Sequence, residues 1–433
     1  MRQPLSRAPK APSCSSFGAH LTTAIISGFT TAILARNFFE SEKKVTHPIV
    51  TDYGVEDASF CRTISHLLGT PFVGGNDVKV FNNGDEIFPA MLGAIRRAKH
   101  TITFENFVFT SGRVTRQFAG AFAERAMAGV KVHVLQDAMG CNCIRGEEFE
   151  VMKRAGVEVE IFRYFNMQFN ERTHRKLLVI DGKVGFIGGV GISDDWDGDA
   201  DKPDRWRDTQ YFVEGPVVAQ MQQAFMDNWI QTRAAVLHGD LYFPRLEDKS
   251  GMECQVFKSS SSEGADSARL LFLFAIAAAR RSIRIANAYF IPDDLTIQTL
   301  VEARARNVDI EVIVPGELTD QHLVRKVGRT RWKKMIQAGI KFYEYQPSRY
   351  HCKYMVVDEY LSCVGSCNLD NRSLRLNEEA NLNILDREFA AGHLEIFERD
   401  KAKSRQIGIE EWRGRPFREK VAGLLGCALR SQL

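Results

Sequence analysis

The chain repeats itself once. The segment AKHTITFENFV at 98–108 returns as ARRSIRIANAY at 279–289, and GVKVHVLQD at 129–137 returns as NVDIEVIVP at 307–315. AGVEVEIF at 155–162 returns as AGIKFYEY at 338–345, and HRKLLVID at 174–181 returns as HCKYMVVD at 351–358. The matches keep their order, with offsets between 177 and 183 residues. That period is far longer than any solenoid repeat, so the chain is a duplicated unit. Each copy reads strand, helix, strand, helix, strand. Its strands are short, β-branched and apolar, as in strands buried on both faces, and its helices are periodic with Gly- or Asn-containing turns after them. The expected fold class is α/β: two duplicated lobes, each a β-sheet flanked by helices, with the functional site at their interface.

The seam falls near Phe243–Glu263, where Pro244 and the run Ser259–Ser262 mark a linker. The division is then an N-terminal leader at 1–75, lobes at 76–243 and 244–400, and a basic amphipathic tail at 401–433. From Ala11 to Ala35 no residue is charged. Its core, Phe17 to Leu34, is long enough to consider as a membrane span but rich in Thr, Ser and Gly. It reads as an anchor, a targeting peptide or a helix packed on the body. In the tail, Phe417, Val421, Leu424, Leu425 and Ala428 recur at helical spacing among basic residues, which suits an anionic membrane surface. A second basic cluster, Arg325, Lys326, Arg329, Arg331, Lys333 and Lys334 around Trp332, reads as a head-group site or a solvated helix face.

With 57 basic and 54 acidic residues the net charge is +3, so the chain lacks a global polyanion-binding signature and no nucleic-acid partner is expected. The nine cysteines are odd in number and scattered, unlike a disulfide framework. Cys141 and Cys143 sit too close in sequence for the usual zinc clip. His351, Cys352, Cys363 and Cys367 suggest zinc at first sight, but that segment carries a better reading.

Each copy contains one His, one Lys and one Asp at identical spacing: His174, Lys176 and Asp181, then His351, Lys353 and Asp358. Gly188-Gly189 and Gly365-Ser366 follow each Asp at the same distance. On a strand, residues i and i+2 share a face, so imidazole and ammonium project together. That pair suits a phosphodiester: Lys neutralises non-bridging oxygens, and His attacks phosphorus or protonates a leaving group. Recurrence of the whole triplet separates it from an incidental polar cluster.

These paired motifs resemble the phospholipase D superfamily. Within it, NGDEIFPAMLGAIRRAK (83–99), HRKLLVIDGKVGFIGG (174–189), WRDTQYFVEGP (206–216), NAYFIPDD (287–294), GSCNLDNRS (365–373) and EEWRGRPFREKV (410–421) resemble bacterial-type cardiolipin synthases, so the resemblance spans roughly residues 76–430. It implies a metal-free, cofactor-free phosphatidyltransferase that makes cardiolipin from phosphatidylglycerol through a phosphohistidine. It also implies a membrane-associated enzyme of the bacterial inner membrane, held peripherally or by its N-terminus. The alternative is hydrolysis of phospholipid or nucleic acid by the same residues; a lipid-binding pseudoenzyme would usually have lost a His or Lys. Carried over residue by residue, the resemblance favours His174 as the nucleophile and His351 as the acid/base, with the reverse assignment left open by the symmetry of the copies, while Lys176, Lys353, Ser366 and Asn368 meet the phosphate or orient a His. Glu379 and Asp208 match the acids that hold the imidazoles, and Asp181 and Asp358 complete the catalytic motif, with structural anchoring of its strand as their expected task. One departure is Gly191, which stands where the family's first copy has an Asn. The oligomeric state is left open by the sequence.

Overall fold

The computed structural model describes residues 20, 22–32, 45–141, 146–162, 170–260 and 267–427. Two lobes share one sixteen-stranded sheet. From the centre outward the first lobe runs Val73–Asn82, Thr209–Glu214, Val184–Gly188, Leu177–Ile180, Thr101–Asn106, Lys131–Asp137 and Glu158–Phe162. The second repeats that order: Met252–Ser259, Asn377–Leu385, Leu361–Gly365, Lys353–Val357, Ser282–Asn287, Asp309–Pro315 and Lys341–Tyr345, with Ser404–Ile407 added at its edge. The halves join where Val73–Asn82 pairs antiparallel with Met252–Ser259. The expected strand–helix–strand–helix–strand unit is present in both, through helices Arg113–Met127 and Glu147–Arg154 in one and Asp294–Ala305 and His322–Gln337 in the other.

Alternation along the motif strands explains their apolar run. Leu178 and Ile180 enter the first lobe's outer core, while Leu177 and Val179 point into a core shared by both lobes. Met355 and Val357 likewise face the second lobe's own core, and Tyr354 and Val356 the shared one. A strand covered on both faces has no solvent side for polar residues. Helix ends follow local chemistry: the carboxylates of Asp293 and Asp386 accept N–H bonds from Thr296 and Phe389, each at 2.7 Å, at the starts of Asp294–Ala305 and Arg387–Ala402.

The flanking segments are tied to this body. Helix Ala58–Leu68 is capped by Asp57 and by Gly69 at φ 74°, and it buries Phe60 and Ile64 in the second lobe's core. Ser404–Ile407 pairs with Lys341–Tyr345. Helix Phe417–Gly426 lies on His322–Gln337 through its glycines: a Cβ at Gly423 would stand 2.7 Å from the Lys326 carbonyl oxygen. Its other side leaves Phe417, Leu424 and Leu425 exposed, at 79%, 71% and 69%. The basic cluster on His322–Gln337 is largely committed to packing. Arg325 and Arg329 pair with buried Glu344, Arg329 also with Glu419, Arg331 with Asp294, and Trp332 stacks on Phe342 in the core. A head-group site built on those arginines is therefore set aside. The stretch Phe17–Leu34 lies partly outside the described residues; among those described no helix is long and apolar enough to cross a membrane.

Candidate active site

The chain enters each motif while paired with a strand of the opposite lobe. Arg172–Thr173 pairs in parallel with Asn377 and Glu378 of the second lobe, and the His174 N–H donates to the Glu378 carbonyl at 2.9 Å. Arg349–Tyr350 pairs in parallel with Trp206–Arg207 of the first, and the His351 N–H donates to the Arg207 carbonyl at 2.8 Å. The motif strands thus begin later than the sequence pattern suggests. Regular pairing starts at Leu177 and Lys353, and each His sits just before it, where the chain passes from one lobe's ladder to the other's.

This crossing decides the proton geometry. His174 Nδ1 lies 3.0 Å from both Glu379 carboxylate oxygens, and His351 Nδ1 lies 2.7 Å from Asp208 Oδ2. Each imidazole therefore receives its carboxylate from the opposite lobe, and the two motifs form one site. A carboxylate at Nδ1 selects the Nδ1–H tautomer and leaves the Nε2 lone pair for chemistry. Lys176 Nζ donates to the His174 carbonyl at 2.8 Å and Lys353 Nζ to the His351 carbonyl at 2.7 Å. Lys353 Nζ also stands 3.0 Å from His351 Nδ1. That nitrogen already donates to Asp208, so the contact is not a hydrogen bond.

Burial governs the electrostatics. It pushes His174 down to about 4 against the pull of Glu379, and it lowers His351, with Lys353 adding to the effect. Burial brings Lys176 down to about 7 and also lowers Lys353. Burial alone would raise Glu379 and Asp208, but the imidazole each one faces, hydrogen bonds and the lysines outweigh it and hold both below the usual carboxylate range. Burial thus disfavours the charged form of both imidazoles and both lysines, and a bound anion would favour it again.

Ser366 donates its hydroxyl to Glu379 Oε2 and accepts the Ala380 N–H at 3.1 Å. Asn368 is buried, with its side-chain amide N–H 3.5 Å from Ser373 Oγ and its Oδ1 without a partner among the described residues. Asp181 and Asp358 are the exceptions to the catalytic grouping. At φ 53° each closes the turn after its motif strand. Asp181 accepts the backbone N–H groups of Lys99, His100 and Thr101, and Asp358 those of Arg280, Arg281 and Ser282, at 2.7–3.2 Å. Their carboxylates are spent at the far end of the strand from the imidazoles.

Several site residues escaped the sequence reading. Arg175, between His174 and Lys176, is fully buried and donates to Glu378 at 3.0 Å and to the Ser259 carbonyl at 3.1 Å. Arg207 donates to Asp400 at 3.0 Å. Both span the lobes, and nothing in their spacing marks them. Trp196 donates to Asp208 at 3.0 Å. Among the described residues no three His, Cys, Asp or Glu side chains converge as metal ligands.

A family model described as "Cardiolipin synthase, PLD-like domain" matches residues 91–229 and 272–401. Cardiolipin synthase A of Pseudomonas fluorescens is 34% identical over 357 residues, covering 81% of this chain and 74% of its own. That of Pseudomonas entomophila is 32% identical with the same coverage. Among solved structures, phosphatidylserine synthase from Haemophilus influenzae matches with a TM-score of 0.68 at 13% identity, over 86% of this chain and 99% of its own, a likeness of fold. With the family model matched once in each motif-bearing lobe, the chain belongs to the cardiolipin synthase family of phospholipase D-like proteins.

Proposed function

We propose that this enzyme transfers a phosphatidyl group from one phosphatidylglycerol to another, forming cardiolipin and releasing glycerol. The observation that carries the reading is the crossed pair of imidazole–carboxylate contacts, His174–Glu379 and His351–Asp208, with Lys176 and Lys353 beside them. A bound phosphodiester anion raises the pKa of every group near it, so one imidazole takes up a proton. His174 Nε2 then attacks phosphorus. The P–N bond forms, the P–O bond to glycerol breaks, and the His351 imidazolium gives its proton to the departing oxygen. In the second half, His351 takes the hydroxyl proton of the incoming phosphatidylglycerol, whose oxygen attacks phosphorus and breaks the P–N bond. Lys176, Lys353 and the Asn368 amide hold the non-bridging oxygens as charge builds on them.

The exposed apolar side of Phe417–Gly426, beside Arg413, Arg418 and Lys420, supports peripheral attachment to an anionic lipid surface such as the bacterial inner membrane. The decisive assay incubates the purified full chain with labelled phosphatidylglycerol in mixed micelles containing EDTA. Lysine, imidazole and amide donors need no metal, so cardiolipin and glycerol are expected in equal amounts. Phosphatidic acid without cardiolipin would make water the acceptor and replace transfer by hydrolysis.

A further inference from the structure

The two half-sites are built from one duplicated plan but are not equivalent. In the second lobe, Glu379 is steadied by the Ser366 hydroxyl. The first lobe has Gly189 at that position, and a Cβ there would reach 2.9 Å from Asp208 Oδ2. Asp208 takes its extra hydrogen bond from elsewhere: Trp196 Nε1–H donates to Oδ2, the same oxygen that His351 Nδ1–H reaches. The Thr209 N–H occupies Oδ1 at 2.9 Å. The ring also accounts for the missing amide, because a Cβ at Gly191 would lie 2.9 Å from its Cζ3 and Cη2 and 2.7 Å from Val108 Cβ.

We propose that Trp196 is a positioning residue of the first half-site: its indole N–H does for Asp208 what the Ser366 hydroxyl does for Glu379, and its ring fills the place of an amide side chain at position 191. The placement is rigid. Trp196 is 4% exposed, ends the short helical turn Asp194–Trp196 and stacks on Trp206 at 5.2 Å and 14°. That turn is pinned by Asp194, whose carboxylate accepts the N–H groups of Arg113 and Val114. Both tryptophans and Tyr289 stand edge-on to the His351 ring, at 5.4, 4.9 and 6.2 Å, whereas His174 meets Phe107 at 5.3 Å.

The indole lowers the basicity of Asp208 and so limits how strongly that carboxylate stabilises the His351 imidazolium. The other charged groups facing His351, Lys353 and Lys176, oppose the imidazolium and stay in place when the indole is changed. The proposal rests on His351 acting as acid/base, so its first test does not use turnover. In Trp196→Phe the ring remains and the donor is lost. NMR titration of the His351 imidazole in the full chain should then show its pKa raised by roughly half a unit, with His174 unmoved. Ser366→Ala should do the reverse, moving His174 and not His351.

If Trp196→Phe does not fold, 5-fluorotryptophan incorporation retains the indole N–H contact with Asp208 and makes that N–H a stronger donor. His351 should then move down. An unmoved His351 in the folded variant, or in the fluorinated protein, would reduce Trp196 to a space-filling residue and overturn the proposal. The same limb of the pH–rate profile should follow the NMR shift. If the NMR shift occurs and the profile does not follow, the acid/base role of His351 fails while the positioning contact stands.

Discussion

At the scale of single residues, chemistry depends on which nitrogen each imidazole presents. Glu379 and Asp208 hold Nδ1 and leave Nε2 toward the substrate. Glu379→Gln and Asp208→Asn nearly keep shape but let the wrong tautomer form. Each should lower kcat by about 10²–10⁴-fold with a smaller change in KM, read by steady-state kinetics on micellar phosphatidylglycerol. Equal activity in either variant would break the link between the crossed contacts and turnover. The pH dependence has a definite sign. Since burial holds His174 near 4, its free base is the major species down to about that pH. The acid limb of kcat/KM belonging to the nucleophile should lie below pH 5 rather than near the 6.5 of a free imidazole. The His-Lys pairs were legible in the sequence, because a duplicated spacing is hard to produce by chance, whereas Glu379 and Asp208 were reached only through the family resemblance. Trp196 was not, since a donor reached through a loop carries no periodicity.

At the scale of elements, the strand–helix alternation could be read from hydrophobic patterning, as Leu177–Ile180 and Lys353–Val357 show by burying both faces. The crossing strands Arg172–Thr173 and Arg349–Tyr350 could not. Two residues have no period, and their partners lie in the other lobe. Asp181 and Asp358 are the opposite case: their spacing is part of the motif, and their task is the strand anchoring expected of them, at the end of each motif strand. Each stands at positive φ, which Asp tolerates better than most residues, and ties down three backbone N–H groups. Asp181→Ala should therefore cost on the order of 3 kcal/mol of stability, measured by urea denaturation. Its folded fraction should keep near-normal kcat. A kcat lost in a fully folded Asp181→Ala protein would return this carboxylate to the catalytic set.

At the scale of the whole molecule, duplication has produced two lobes joined in one continuous sheet. The lobes share the antiparallel seam between Val73–Asn82 and Met252–Ser259 and a common core in which Val179 and Tyr211 of one lobe join Val356 and Leu382 of the other. Buried ion pairs cross between them, Arg175 with Glu378 at 3.0 Å and Arg207 with Asp400 at 3.0 Å. Neither lobe alone can complete an imidazole–carboxylate pair, so neither alone should be active. Arg175→Met removes the cation paired with Glu378 in a buried interface, and removing one member of a buried pair costs about 3–5 kcal/mol. Arg175→Met with Glu378→Leu removes both charges and should recover much of that loss. Because the cost falls on a surface common to both lobes, it should move all of the unfolding rather than half of it. Calorimetry on the full chain should show one transition, shifted down in the single variant and partly restored in the double. Two transitions, only one of which responds to Arg175→Met, would mean that the lobes fold separately and that the shared core contributes little to holding the site together.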